Sequence, residues 1–506
     1  MNSVDILAEP LVEVDGTSLA AEDGRTLTEI RVQQRLSHPT MCELTFVDPG
    51  EALAEGHVLR PGSSLRVALT GHAEYLFEGE VTAMEFAYLP SRGREVRVRG
   101  FDALHRLRKR WQVRSHVQVS PKDLARELVA DLGLSVSAAE PGPLRQILIQ
   151  QNQSDLDLLL DETEFCGLYL ALRGKTLHLC TLDGIGDPAP LELGDSLLEA
   201  HFEVNADPAC RSVAVACWNP SRAEHHKGRA STARTGRQVA AEAPPSRFGA
   251  IGEILVSDEV GPDSRYAQAI AQAELDRRAA SEVILWGTAQ GDPRLRPASR
   301  VSVSGVTGQF SGRYVLTGVT HLIDRRLGYV SEITTSLAPP RPRGRSTLAT
   351  KGIVTRVNDP DKLGRLRVSL PTYGDVETDW MEMLSIGAGS GKGLVISPEV
   401  GDQVLVLLMH QDPAHGVVLG GLYGIEGPPD PGLEDGAVRR YTLLTGKGQK
   451  MLLDDSGKVI RFENSEGSYV ELSPKKVRIH AATDLDLEAP GHSIVISGRS
   501  IDFQKA

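Results

Sequence analysis

One run of residues in this chain has the composition of a phosphate-binding loop. It is Gly387–Gly393, with the sequence GAGSGKG. A phosphate loop needs a glycine five residues before Gly391 and a serine or threonine after the lysine, because that hydroxyl binds the magnesium ion. Ile386 and Gly393 occupy those positions, and no helical pattern follows to direct an N-terminus at a phosphate. We therefore interpret the run as a loop that binds no nucleotide.

Three carboxylates lie close together in the short segment 424–438, namely Asp430, Glu434 and Asp435. Paired carboxylates hydrolyse a glycosidic bond when one acts as acid and the other as base or nucleophile. A segment this short cannot build a cleft around a sugar. The three side chains are therefore predicted to lie in a solvated turn.

Histidines and cysteines are not grouped as metal ligands are. His225 and His226 are adjacent and would face apart on a strand, and His480 and His492 belong to no repeated motif. The five cysteines are odd in number and scattered, so they are predicted to be buried and reduced. They are Cys42, Cys166, Cys180, Cys210 and Cys217. No catalytic, cofactor-binding or metal-binding residue is predicted, and the chain is not expected to be an enzyme.

The charge of the chain excludes one class of partner. The formal net charge is −12 over 506 residues, with no basic domain to offset it, which argues against a nucleic-acid partner. No apolar run is long enough to span a bilayer. Met1–Pro10 has no basic region followed by an apolar core, so no signal peptide is expected. We expect synthesis in the cytoplasm, with any export by another route.

The elements that would position these residues are mainly strands. Alternating apolar residues predict strands to about residue 115, and a few helices interrupt the later strands. Helices are predicted near 120–133, 154–167 and 263–279, a hairpin over 168–179, and an exposed loop over 219–248. Short strands over 351–424, including one at Leu394–Ile396, suit a small Greek-key barrel of OB type.

The last sixty or so residues repeat short apolar pairs between turn residues. Both members of a pair face one side of a short strand, as in a stacked strand ladder. The pairs are Met451/Leu453, Ile460/Phe462, Val470/Leu472, Val477/Ile479, Leu485/Leu487, Ile494/Ile496 and Ile501/Phe503. Such a face must be covered, so we predict an intertwined homotrimer. An ordinary meander packed on its own chain is the alternative. The predicted trimer core is Val470, Leu472, Val477, Ile479, Leu485, Leu487, Ile494 and Ile496.

Three short motifs within 351–424 carry a family resemblance. They are Pro398-Glu399-Val400-Gly401-Asp402, then Asp412-Pro413, then Gly420-Gly421-Leu422-Tyr423. Their sequence and spacing resemble the OB domain of VgrG-type proteins and of contractile-phage baseplate spikes. The motif residues assigned by this resemblance are Pro398, Gly401, Asp402, Asp412, Pro413, Gly420 and Tyr423.

The likeness continues upstream of the OB motifs. Gln151–Gly167 resembles the helix of the hub region in that family, although Leu158 and Leu160 depart from the usual Phe and Arg. Gly312–Leu316 resembles the end of the second hub barrel. Taken in order, these segments extend the resemblance over nearly the whole chain.

The resemblance implies the hub and spike of a contractile injection system, closer to extracellular phage-tail-like systems than to large type VI proteins. The implied segments are a first hub barrel (1–115), a helical and hairpin insertion (116–189), a second hub barrel (190–337, with a mobile loop at 219–248), a linker (338–350), the OB fold (351–424), a linker (425–440) and a trimeric β-helix needle (441–506).

The resemblance also implies partners and a role. The protein would cap the inner tube, adapt a sixfold tube to a threefold needle, and puncture a target membrane on firing. Implied partners are two further copies of the chain, the inner tube protein, baseplate wedge proteins, a PAAR-like conical tip protein and effector cargo. The particle would be extracellular or anchored to the cell. An envelope-degrading or sugar-binding phage-tail-like enzyme is the alternative.

Overall fold

A computed structural model describes the chain over residues 9–72, 74–90, 93–219, 224–243, 252–326, 328–341, 346–425 and 427–504. Within these ranges the chain is mainly β with five α-helices, which confirms the predicted fold class. It divides into two compact units, Met1–Gly421 and Leu422–Ala506. Each unit is described by itself.

The first barrel folds around one apolar core in which side chains alternate along each strand. On one strand Cys42, Leu44 and Phe46 are all buried, as a period of two residues requires. Its elements are β1 (Pro10–Val14), β2 (Thr17–Ser18), α1 (Ala21–Thr26), β3 (Leu27–Arg35), β4 (Met41–Val47), α2 (Glu51–Ala54), β5 (Ser64–Leu69), β6 (Phe77–Leu89) and β7 (Gly93–Phe101). A 3₁₀ helix follows at Ala103–Lys109, so this part is not strands alone.

The insertion that follows contains the two predicted helices and the predicted hairpin. Its elements are β8 (Arg114–Val119), α3 (Pro121–Val129), β9 (Ser135–Ala138), β10 (Arg145–Gln150), α4 (Asp155–Phe165), β11 (Tyr169–Arg173) and β12 (Thr176–Cys180). Ser120 caps α3, and Ser154 with Asp157 forms a capping box at the start of α4. The helices begin where the sequence places their caps.

The second barrel and a small α/β layer complete the hub region. Their elements are β13 (Ile185–Glu192), β14 (Leu197–Val204), β15 (Ser212–Asn219), β16 (Glu224–Ala230), β17 (Glu253–Val260), α5 (Ser264–Ala280), β18 (Val283–Gln290), β19 (Ser299–Ser304), β20 (Gly312–Val315), β21 (Gly318–Asp324) and β22 (Gly328–Thr334). Because β21 pairs with β3, strands of both barrels share one eleven-stranded sheet, in the order β14-β18-β22-β21-β3-β4-β7-β6-β5-β1-β2.

The prediction of a loop over 219–248 is wrong for part of that segment. Strand β16 lies within it and pairs with β15, while residues 220–223 and 244–248 are outside the described residues. The face of β16 turned to α5 carries small residues. A Cβ atom at Gly228 would lie 2.3 Å from the Ala267 carbonyl carbon, so only glycine fits there. A strand packed this closely has no large apolar residues to reveal it.

The OB barrel is closed by its strand pairing. Its strands are β23 (Leu348–Arg356), β24 (Arg367–Leu370), β25 (Val376–Glu377), β26 (Glu382–Met383), β27 (Gln403–Leu408) and β28 (Gly416–Leu422), in the order β25-β24-β23-β27-β28-β26. A bridge between Leu366, just before β24, and Met381, just before β26, closes the sheet. The barrel interior is apolar and includes Val368, Val404 and Val418.

Two sequence predictions near the barrel are corrected. The linker predicted to run to residue 350 ends earlier, because β23 begins at Leu348, and residues 342–345 lie outside the described residues. Leu394–Ile396 is not a strand. It belongs to a long loop in which the Leu394 amide donates to the Ile386 carbonyl at 2.9 Å. The loop keeps these apolar side chains exposed, so their pattern imitates a strand.

The C-terminal unit is an antiparallel strand meander. Its strands are β29 (Leu433–Glu434), β30 (Ala437–Val438), β31 (Arg440–Leu444), β32 (Lys450–Asp454), β33 (Val459–Glu463), β34 (Tyr469–Leu472) and β35 (Val477–His480). The predicted linker 425–440 therefore contains a small hairpin, β29–β30. The predicted pairs from Leu485 to Phe503 form no strand within the described residues 481–504.

Candidate functional site

The five-stranded sheet β31–β35, here called the ladder, carries two continuous rows of apolar side chains on one face. The strand register aligns one residue of each strand in each row. The first row is Leu443, Met451, Phe462, Val470 and Ile479, and the second is Tyr441, Leu453, Ile460, Leu472 and Val477. Residues two apart on a strand share a face, so both rows lie on the same side of the sheet.

This apolar face is uncovered in the single chain. Nine of the ten side chains have exposed fractions from 37% for Leu453 and Val470 to 69% for Val477, and Met451 is half-buried. Contiguous apolar surface of this extent is uncommon on a protein that works as a monomer, and it marks a surface that contacts a partner. Within the described part of Leu422–Ala506, the only strands outside the ladder are β29 and β30, each of two residues. They are too short to cover ten side chains.

The opposite face of the ladder carries charged residues that pair with one another, with Leu444, Leu452 and Val459 among them. The Arg461 guanidinium donates to Glu471 at 3.1 Å and to Glu463 at 2.9 Å, and it lies 3.9 Å above the Tyr469 ring. These hydrogen bonds and charges, Glu463 first, raise the pKa of Arg461. The Tyr469 hydroxyl accepts a hydrogen bond from Arg478 at 3.1 Å. A face of paired charges suits contact with water.

The structure brings together four of the eight residues predicted as a trimer core, and it does not bring together the other four. Val470, Leu472, Val477 and Ile479 lie on the apolar face. The others lie beyond the last strand and are exposed, with fractions from 53% to 63%. They are Leu485, Leu487, Ile494 and Ile496. Whether all eight form one core in a trimer stays a prediction.

Sequence reasoning missed the first strand of the ladder. Tyr441 and Leu443 extend both apolar rows onto β31. They have the same spacing of two residues as the later pairs. Extending the search for that spacing ten residues upstream of Met451 would have found them.

The first OB motif forms a turn fastened to the barrel. Gly401 has φ of +98°, a conformation that favours glycine, and its amide donates to the Val354 carbonyl at 2.9 Å. The Asp402 carboxylate accepts a hydrogen bond from the Glu399 amide at 2.8 Å. Pro398 precedes this turn and is half-buried. These residues shape the backbone between the long loop and β27.

The remaining OB motif residues lie at separate places. Asp412 accepts hydrogen bonds from the Ala414 amide and from Nδ1 of His415, both at 2.9 Å. Burial alone would raise the pKa of Asp412, but His415, Arg145 and the amide lower it to about 2. Pro413 is buried beside it, and Gly420 lies within β28 with φ of +152°. Tyr423 is largely exposed in the C-terminal unit. Of the motif residues, Asp412 and Pro413 line one cleft.

The residues that suggested chemistry in the sequence form hydrogen bonds that hold turns. Gly387–Gly393 is a turn of the long loop, where the Gly389 amide donates to the Lys392 carbonyl at 3.1 Å. Asp430 accepts hydrogen bonds from Arg440 at 3.2 Å, from the Gly432 amide at 2.9 Å and from Thr442 at 3.1 Å. These bonds, that of Arg440 first, lower the pKa of Asp430 to about 2. Its role is to hold a turn against β31.

The other acidic, histidine and cysteine side chains also remain apart. Glu434 accepts a hydrogen bond from the Ser456 hydroxyl at 2.6 Å, 22 residues along the chain. The His225 ring lies 4.6 Å from that of Trp218. Among the residues that the structure describes, no three His, Cys, Asp or Glu side chains are placed to share a metal ion, and no helix is long and apolar enough to cross a membrane.

Two family models match the chain. Residues 350–423 match the type VI secretion system/phage-baseplate injector OB domain. Residues 6–325, more than half of the chain, match the Alg8 N-terminal domain. The first match covers the whole OB barrel except the beginning of β23. No curated protein sequence matches the chain.

Solved structures share its fold at low sequence identity. The E. coli c3393 protein, described as a type VI secretion component similar to T4 tail proteins gp27 and gp5, has a TM-score of 0.54 at 14% identity, covering 81% of this chain and 99% of its own. A chain of the Francisella PdpA–VgrG complex has a TM-score of 0.57 at 10% identity, covering 95% of this chain and 89% of its own. These likenesses concern the fold alone.

Proposed function

We propose that this chain is the structural spike and hub of a contractile injection system. It belongs to the VgrG-type and contractile-phage hub-and-spike proteins, and over residues 6–325 to the Alg8 N-terminal domain family. In this proposal three identical copies assemble around one axis. The role is mechanical and requires no catalysis by this chain.

The observation that carries the proposal is the uncovered apolar face of the ladder. Two rows of five side chains face one side, and the paired charges of Arg461, Glu463 and Glu471 face the other. Three such sheets arranged as a prism would turn the apolar faces inward and the charged faces outward. Burying each large apolar side chain contributes about 1.5–3 kcal/mol of stabilisation. Because the copies are identical, every copy would make the same gain.

Each part of the chain has a place in this assembly. The ladder and the residues after it would form the needle, and the two-barrel hub would cap the inner tube and adapt its sixfold symmetry to the threefold needle. Symmetric closure of identical subunits leaves no subunit surface unmatched. On firing, the needle would puncture the target membrane.

The proposal also includes partners and a setting. We expect contacts with the inner tube protein, baseplate wedge proteins and a PAAR-like conical tip protein, with effector cargo carried by the particle. The PdpA-bound state of the Francisella VgrG is a precedent for such a spike with a bound partner. The assembled particle would act outside the cell or anchored to it. Which membrane it enters is set by other components.

A single substitution tests the needle. Ile479→Asp places a charge in the first apolar row, where three copies would bring three carboxylates together out of water at a cost of several kcal/mol. We expect native mass spectrometry to find three copies in the parent protein and one in the variant. The matched control is His480→Asp, the next residue, which lies on the polar face near Tyr469. It should remain trimeric. A parent protein of single copies, or trimers in the Ile479→Asp variant, would refute the proposal.

A further inference from the structure

Arg145, at the start of β10, belongs to the hub region and lines the cleft between the hub and the OB barrel. Its guanidinium donates to both carboxylate oxygens of Glu162 on α4, each at 3.1 Å. It also lies 4.9 Å from the centre of the Tyr266 ring and 5.9 Å from that of Phe165. Only 13% of the Arg145 side chain and 11% of Glu162 are exposed. This geometry holds the buried ion pair of Arg145 and Glu162 rigidly.

The OB barrel presents a carboxylate to this arginine. Asp412, in the turn between β27 and β28, lines the same cleft as Arg145 and is held by His415, and the Arg145 charge contributes to lowering the pKa of Asp412. Both sides line one cleft of about 290 Å³, which includes Arg145, Glu162, Asp412 and His415. Asp412 belongs to the OB motif, and its turn is also the part of the barrel that faces the hub.

Further contacts surround this cleft. Gln151 of the hub donates to the Gln411 carbonyl at 2.8 Å, and Gln411 in turn donates to the Ser346 hydroxyl. Arg341, on the chain leading out of the second barrel, forms ion pairs with Asp157 and Asp161 of α4. The connecting segment is thus fastened to the hub before it reaches the barrel.

A second point of approach lies next to the first. A Cβ atom at Gly374 would lie 3.3 Å from Cβ of Val113, just before β8. The antiparallel pairing of β8 with β10 joins Arg114 to Gln150, which places Val113 beside Gln151. Gly374 has φ of +67°, so glycine is favoured there by its conformation as well as by the close approach. The hub and the barrel consequently touch at two neighbouring places and belong to one compact unit.

We propose that this junction is a clamp, with Arg145 as its central residue, which holds the hub and the OB barrel of one chain as a single rigid body. Domains joined by a linker move relative to each other unless a specific interface prevents it. Here force applied to the hub reaches the barrel through side-chain contacts and not through the connecting segment alone. The inference concerns one chain, and it stands whether or not three copies assemble.

The distance between two spin labels in the full-length protein tests the clamp. Val117→Cys on the hub and Leu363→Cys on the barrel supply the labels, since these side chains are 69% and 62% exposed. The native cysteines are buried or half-buried, and the parent without added cysteines measures any labelling of them. An excess of unlabelled chain keeps labelled chains apart. A rigid junction gives one narrow distance distribution.

Removing the central residue should release the barrel. We expect Arg145→Gln to widen the distance distribution about twofold or more, as for domains joined by a linker. Arg367→Gln is the matched control, because Arg367 pairs with Glu377 and Asp379 and contacts the Trp380 ring entirely within the barrel. The control should keep the narrow distribution.

A second variant decides the question if Arg145→Gln does not fold. Asp412→Asn leaves the buried pair of Arg145 and Glu162 intact and weakens only the barrel side of the clamp. A wider distribution in Asp412→Asn supports the clamp. A broad distribution in the parent, or a distribution of parental width in both variants, would overturn it.

Discussion

Three aspartates that the sequence singled out, two as parts of the OB motif and one as a candidate for catalysis, form hydrogen bonds with backbone amides in the structure. Asp402, Asp412 and Asp430 each accept a hydrogen bond from an amide two or three residues away, and each holds a turn. An aspartate is suited to this because its short side chain reaches nearby amides. Spacing alone does not separate a turn-forming aspartate from a catalytic one. The partners of the carboxylate separate them.

Asp412 should make the stability of the protein depend on pH in acid. Its pKa is lowered from 3.8 to about 2 in the folded chain, so folding favours the ionised form. The stabilisation is complete above pH 4 and is lost as the pH falls from about 4 to about 2, and it amounts to about 2 kcal/mol. Asp412→Asn removes it. We expect the variant to lose about that free energy of unfolding at pH 7, measured in urea.

The same measurement at low pH provides the contrast. Near pH 2 the Asp412 carboxyl of the folded parent is about half protonated and most of its stabilisation is lost, so parent and variant should differ much less in stability than at pH 7. If the free energy of unfolding differs between parent and variant by the same amount at pH 7 and at pH 2, Asp412 contributes through its shape and not through its charge. Glu9→Gln is a suitable control, because Glu9 is an exposed carboxylate far along the chain from this turn.

At the scale of elements, the ladder and the residues after it differ in how their backbone is paired. Strands β31–β35 pair with one another within one chain. The described residues 481–504 contain no strand, although their apolar pairs repeat at the same spacing. Backbone amides buried without partners are costly, so these residues need strands from other chains if they are to enter a needle.

Hydrogen exchange distinguishes pairing within a chain from pairing between chains. In the assembled parent protein we expect slow amide exchange over 485–503, because those amides would be bonded to neighbouring copies. Ile479→Asp should make exchange there fast, since the single chain offers no partner strand. Peptides covering β33 and β34 are the internal control. They should retain part of their protection, because their pairing lies within one chain.

Equal exchange over 485–503 in the parent and in the Ile479→Asp variant would contradict the expectation that these residues pair between chains while the ladder pairs within one chain. Fast exchange in both would mean that the tail is not part of a needle. Slow exchange in both would mean that it pairs in a way that needs no second copy. Mass spectrometry of the intact assembly, recorded on the same samples, ties each result to the number of copies present.

At the scale of the whole molecule, the sequence predicted the fold wherever a pattern is local. Caps at Ser120 and Ser154 placed two helices, and pairs spaced by two residues placed the ladder. Contacts between distant residues left no such pattern. No local pattern near Arg145 or Asp412 indicates that both line one cleft, and a linker rich in proline suggested separate domains. The small residues of β16 hid a strand for the same reason, because close packing removes the apolar signal.

The assembled protein should leave peptidoglycan intact. A glycosidase needs one carboxyl group that is protonated at neutral pH to donate to the leaving oxygen. Asp430, in the segment where an inserted enzyme would lie, is ionised, because hydrogen bonds from Arg440, Gly432 and Thr442 lower its pKa to about 2. Glu434 beside it is bonded to Ser456. We therefore expect no clearing in a peptidoglycan gel at neutral pH, with a lysozyme lane as positive control. Clearing that is lost in Asp430→Asn would establish the enzymatic alternative.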